Sequence, residues 1–92
     1  MSKSIMSNER KCYVCGYTKD LHRHHVYFAS NRKLSEKHGF WCYLCLYHHN
    51  GSNEGVHNNR ELDLKLKEEC QRRFEENGTR EEFVKIIGRN YL

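Results

Sequence analysis

The sequence predicts a small α+β domain stapled by metal, and three observations predict it. Four of the five cysteines and all seven histidines fall between Cys12 and His57. Within that stretch, Cys12-x2-Cys15 and Cys42-x2-Cys45 have the spacing of metal half-sites, and two short aromatic and β-branched runs read as strands. From Asn59 onward, apolar residues recur at helical spacing among charges.

The composition explains why a staple is needed. A chain of 92 residues makes one domain, and only 37% of these residues are hydrophobic. A domain this small is marginal without a metal, disulfides or a partner. The first residues do not resemble a signal peptide, and no apolar run approaches the roughly 20 residues that span a bilayer. The expected compartment is therefore the cytoplasm. In that reducing setting, paired C-x2-C spacing beside histidines points to zinc rather than to disulfides. The formal net charge of +4 permits a nucleic-acid partner without demanding one.

Taken in order, residues 1–10 are polar and unpatterned, and a flexible N-terminus is expected there. Lys11–Gly16 reads as a knuckle, with Gly16 allowing the turn that aims two thiols at one ion. His22–Ala29 reads as a strand. Period two places His24, Val26 and Phe28 on one face and His25 and Tyr27 on the other. Ser30 or Asn31 is expected to cap a short helix that stops at Gly39. Phe40–Tyr43 is the second strand, leading to a turn near Cys45 and Leu46. Gly51–Gly55 is a loop. Leu62, Leu66, Cys70 and Phe74 stripe one face of a helix that begins at Asn59 or Arg60 and runs to about Glu76. Thr79-x-x-Glu82 is a capping box for a last helix, with Phe83, Ile86 and Ile87 facing inward and Gly88 as its stop.

A structural zinc site takes four ligands. Cys12 and Cys15 supply two. The other two are either Cys42 with Cys45, or Cys45 with His48, and spacing alone does not choose. Cys42 lies inside a strand candidate, whereas Cys45 and His48 flank a turn, so Cys12, Cys15, Cys45 and His48 are the preferred set. Cys42 is then a small buried hydrophobe. This partition leaves His24, His25, His49 and His57 for other work, with His49 fixed in place by the zinc ligand before it.

In order along the chain come Cys12-x2-Cys15, His24-His25-Val26, Lys33-Leu-Ser-Glu-Lys-His-Gly39, Leu44-Cys45-x2-His48-His49, Gly55-Val-His57 and Gly88-Arg-Asn-Tyr-Leu92. The set resembles the zinc-stapled HNH endonucleases of the ββα-metal, treble-clef-like fold, in particular small phage-type HNH proteins. The resemblance implies one nuclease domain over 11–92, with a zinc and catalytic core at 11–58 and a helical part at 59–92. It implies that His24, His49 and His57 bind a catalytic divalent ion and that His25 is the general base. The loop between His49 and His57 would have to fold back for both to meet one ion. The family's base-orienting Asn has Asn31 and Asn50 as candidates here.

The residue chemistry is compatible with that expectation. An imidazole, with an ordinary pKa of about 6.5, can take a proton from water at neutral pH. Imidazoles suit Zn2+ or Ni2+, while Mg2+ and Mn2+ prefer oxygen ligands, so any of the four remains a candidate ion. Arg23, Arg32, Lys33 and Lys37 flank the histidines and are candidate DNA phosphate contacts. The resemblance implies double-stranded or branched DNA as the partner, with the protein a monomer or part of a phage assembly, in the cytoplasm of a bacterium or a phage-infected host cell. His22 and His38 read as structural or surface residues, and Phe40, Trp41 and Cys70 as core. The alternative function is a non-catalytic zinc module that binds DNA or protein.

Overall fold

The computed structural model describes residues 3–49 and 55–92. It is a small α+β fold, an antiparallel strand pair followed by helices. The order is β1 (Leu21–His25), a 3-10 turn (Ala29–Asn31), α1 (Arg32–His38), β2 (Trp41–Cys45), α2 (Leu46–His49), α3 (Arg60–Glu75) and α4 (Arg80–Ile87). Among the described residues, no helix is long and apolar enough to cross a membrane.

β1 and β2 pair so that His24 opposes Cys42 and His25 opposes Trp41. Directly opposed residues share a face. One face therefore carries His22, His24, Cys42 and Leu44, and the other carries Arg23, His25, Trp41 and Tyr43. β1 is shorter than its composition predicts. After His25 the backbone finds other partners: Val26 N–H donates to Phe40 O, Tyr27 N–H donates to Ser35 Oγ, and the Ser35 hydroxyl donates back to Tyr27 O. A buried serine on α1 thus ends the ladder.

The expected helices form, and α1 stops at Gly39, but Asn31 at its start makes no side-chain capping hydrogen bond. Asn59 caps α3 by accepting from Leu62 N–H, and Thr79 and Glu82 form the capping box of α4. Leu66, Cys70, Phe83 and Ile87 are buried, while Ile86 is only partly so. Tyr27, Phe40 and Phe83 form the centre of the core, with ring centroids 5.4–5.8 Å apart. Tyr27 ties the strands to α3 as well, donating its hydroxyl to Lys67 O at 2.6 Å. The tail packs back through Tyr91, whose N–H donates to the buried Gln71.

The flexible N-terminus expected over 1–10 is a correction. Ser4 and Met6 are buried. Ser4 Oγ donates to Trp41 O and accepts from Met6 N–H, and Ile5 N–H donates to Gly39 O. Polar composition hid this because the segment is held by backbone groups and one serine hydroxyl rather than by an apolar stripe. Residues 1 and 2 lie outside the described residues.

Gly39 makes the crossing possible. It sits at φ 76°, a left-handed conformation, and a Cβ there would come within 2.1 Å of Lys3 O. Gly39→Ala is therefore expected to lower unfolding stability by more than about 1 kcal/mol. Denaturant titration of the zinc-loaded protein checks this, and a variant as stable as wild type would show that the N-terminal strap does not bind there.

Candidate functional site

The knuckle folds by its own backbone: Cys12 N–H donates to Tyr17 O at 2.7 Å, and Gly16 N–H returns to Cys12 O at 2.8 Å. Tyr13 N–H donates to Tyr43 O, which lays the knuckle against β2. This brings Cys12 and Cys15 to the end of β2, where Cys45 stands, and to α2, which carries His48. The four form a group able to hold a metal ion. Cys15 Sγ lies 3.7 Å from Cys45 Sγ, and His48 Nδ1 lies 3.8 Å from Cys12 Sγ and 3.4 Å from Cys45 Sγ. Zinc–sulfur bonds of about 2.3 Å in a tetrahedron give edges of about 3.8 Å. The spacing fits a structural zinc.

The electrostatics agree. Burial pushes the Cys12 thiol up, but backbone N–H groups of Cys45, Cys15 and Val14 outweigh it, and the thiol ends below its usual value. Cys15 is raised, by burial first and then by Cys12 and Cys45. Sulfurs this close repel once ionised, and a divalent cation relieves that repulsion. Cys42 stands apart. It is fully buried, and burial, with Cys70, Cys12 and Glu69 adding to it, pushes its thiol up. It is not a member of the four-ligand group. Cys70 is likewise buried, which pushes its thiol up to about 12.

A second group forms on the other side of α2. His24, His49 and His57 place ligand nitrogens within 4.8 Å of one another, and His49 Nε2 and His57 Nε2 are 3.2 Å apart. Metal–nitrogen bonds of about 2.1 Å imply edges of about 3.0–3.4 Å. The eight-residue gap closes because the chain returns against α2: Val56 N–H donates to His48 O, and His57 N–H donates to His49 O. The intervening residues 50–54, including most of the expected glycine loop and the candidate Asn50, lie outside the described residues. His24 is 2% exposed, and its Nε2 is buried with no hydrogen-bond partner among the described residues. Buried polar atoms are rarely left unmatched, so this nitrogen suits a metal.

Both inner imidazoles are held neutral, the form that ligates metal. Burial, then the charges of His49, His57, His25 and Lys67, lowers His24 to about 3. Burial, then His57 and His22, lowers His49 to about 4.

His25 points to the opposite face and lines a groove of about 240 Å³ with Arg32, Lys33 and Glu36. Arg32 and Lys33 are exposed, as is Lys37. Arg23 is instead paired with Glu36 at 2.8 Å and stacked 3.9 Å above the Trp41 ring. Asn31, a candidate for orienting the base, donates to Ile87 O. Sequence reasoning missed Glu36, whose Oε2 lies 3.5 Å from His25 Nε2. One signal was present: it is the sole carboxylate between Asp20 and Glu54. It also missed Phe28, whose ring centroid lies 6.1 Å from His24 and 5.5 Å from His57, with Lys67 Nζ 4.4 Å above it.

Neither a protein-family model, nor a curated protein, nor a solved structure matches the chain.

The four-ligand group predicts a clear ordering of variants. Cys12→Ser and His48→Ala are expected to lose zinc and cooperative unfolding, since structural zinc contributes on the order of 10 kcal/mol to folding in small domains. Cys42→Ser is expected to keep its zinc. Metal analysis beside thermal unfolding reads this out, and zinc lost from Cys42→Ser but kept by His48→Ala would reverse the ligand assignment.

Proposed function

We propose that the protein is a metal-dependent DNA endonuclease or nickase of the HNH type, built on a ββα-metal core over β1, β2 and the segment that returns to α3. The carrying observation is the convergence of His24, His49 and His57, with a buried unpartnered nitrogen on His24, beside a separate four-ligand group. A zinc module that only binds has no use for a second set of ligand nitrogens. The structural site is read as zinc on Cys12, Cys15, Cys45 and His48.

The narrow sheet supports a division of labour. Among the described residues β1 pairs with β2 and with no other strand, and alternation along it sends His24 and His25 to opposite faces. In this reading a phosphodiester passes beside β1, with His24 on one side and His25 on the other. A divalent ion held by His24, His49 and His57 would neutralise a non-bridging phosphate oxygen and the departing 3′ oxygen. His25 takes the proton from the attacking water, as a general base beside the phosphate. Arg32 and Lys33, exposed in the same groove, hold neighbouring phosphates by charge and carry no base readout. The products that the resemblance to HNH endonucleases implies are 5′-phosphate and 3′-hydroxyl ends. The duplex or branched DNA is engaged through its backbone, so sequence preference is expected to be weak.

The test is nicking of supercoiled plasmid by the zinc-loaded protein with Mg2+, Mn2+, Ni2+ or added Zn2+. His25→Ala is expected to lower the rate by about 10² or more with zinc content and fold unchanged. Wild-type nicking by that variant would remove His25 as base. One zinc per chain, with no second ion bound at millimolar concentration, would favour a non-catalytic zinc module instead.

A further inference from the structure

Glu36 has no part in the reaction set out above, yet it is the most constrained charge around His25. It lies on α1 and reaches the face of β1 that carries Arg23 and His25. Arg23 Nη1 donates to its Oε1 at 2.8 Å and to its Oε2 at 3.1 Å. The same guanidinium rests on Trp41, which is buried and sits opposite His25 in the sheet. Trp41 therefore holds Arg23, and Arg23 holds Glu36. The held carboxylate presents Oε2 3.5 Å from His25 Nε2. His25 is itself mostly shielded, with its side chain 13% exposed.

We infer that Glu36 is the positioning residue for His25: a carboxylate clamped by Arg23 that keeps His25 in the Nε2–H tautomer and leaves Nδ1 as the proton acceptor. This rests on the assignment of His25 as the base. The chemistry is that of donor and acceptor inventories. An ionised carboxylate only accepts, so it can face Nε2 only when that nitrogen carries the proton. The lone pair then resides on Nδ1, which becomes the nitrogen that accepts a proton. A 3.5 Å separation is long for a hydrogen bond, and such contacts tighten when substrate binds. The same clamp limits rotation of the ring, which shortens the search for the reactive geometry. It also gives Arg23 a role other than phosphate binding.

The decisive variant is Glu36→Gln. Arg23 has donors only, so it claims the amide oxygen and turns the amide nitrogen toward His25. That N–H2 donates to Nε2 and drives the ring proton to Nδ1, which removes the lone pair that water needs. A carboxylate-to-amide change beside a catalytic imidazole works by this tautomer reversal. Nitrogen-15 shifts of the His25 ring, read on the zinc-loaded full chain at pH 8, report the tautomer without any turnover.

The expected result is Nε2–H in wild type and Nδ1–H in Glu36→Gln. Plasmid nicking at saturating DNA is expected to fall by about 100-fold, with KM changed less than about twofold. Glu36→Asp keeps an acceptor-only group, so it should keep the wild-type tautomer and restore about tenfold of the lost rate. A purely structural ion pair would lower unfolding stability in both variants without moving the proton. His25 remaining Nε2–H in Glu36→Gln overturns the inference, whatever the nicking rate. A wild-type chain that cuts no DNA overturns the proposed function alone; the orienting contact then stands or falls on whether the proton moves.

Discussion

Three sulfurs and one imidazole organise this molecule. Cys12, Cys15 and Cys45 gather with His48 at distances that suit one tetrahedral cation. Backbone bonds lay the knuckle against β2, and Cys12 and Tyr13 join the core there. The apolar centre lies around Tyr27, Phe40 and Phe83, and a two-stranded sheet is marginal by itself. A bound ion would join positions far apart in sequence and turn sulfur–sulfur repulsion into cohesion. It would also fix α2, a helix of only four residues that has no buried side chain of its own.

Fixing α2 matters because His48 and His49 are consecutive. One belongs to the sulfur group and the next to the three-histidine group. A displacement of the first would carry the second with it. The returning segment adds a further constraint, since Val56 and His57 hydrogen-bond to the carbonyls of those same two residues. His57 is thereby placed by a backbone bond as well as by its ring contacts with His24, His49 and Phe28. Chemical groups need holding to within a fraction of an ångström, and here the support is covalent succession plus a backbone ladder.

The strand supplies the complementary principle. Alternation separates His24 from His25, so one imidazole is buried among other ring nitrogens while its neighbour faces a groove with charged walls. The two therefore meet different environments without any difference in residue type. His24 is kept neutral by burial and by its fellow histidines. His25 is met by a carboxylate, and that carboxylate is in turn met by Arg23. Trp41, read from sequence as a core residue, is also the surface on which Arg23 rests.

Local rules determined a good deal from the sequence alone. Side-chain caps marked the starts of α3 and α4, and glycines marked the ends of α1 and α4, because those signals act within one helical turn. Cysteine spacing marked metal half-sites at Cys12-x2-Cys15 and around Cys45, but it left Cys42 and His48 as alternatives for the fourth ligand. Strand alternation split His24 from His25. Tertiary structure alone decided the rest. The N-terminal strap is held by Ser4 and by backbone atoms passing Gly39, and no periodicity announces such contacts. β1 ends early because Ser35, from another element, takes over its backbone partners. Glu36 meets His25 because α1 packs on β1. A helix–strand contact across eleven residues depends on the path of the intervening chain, which residue spacing does not specify.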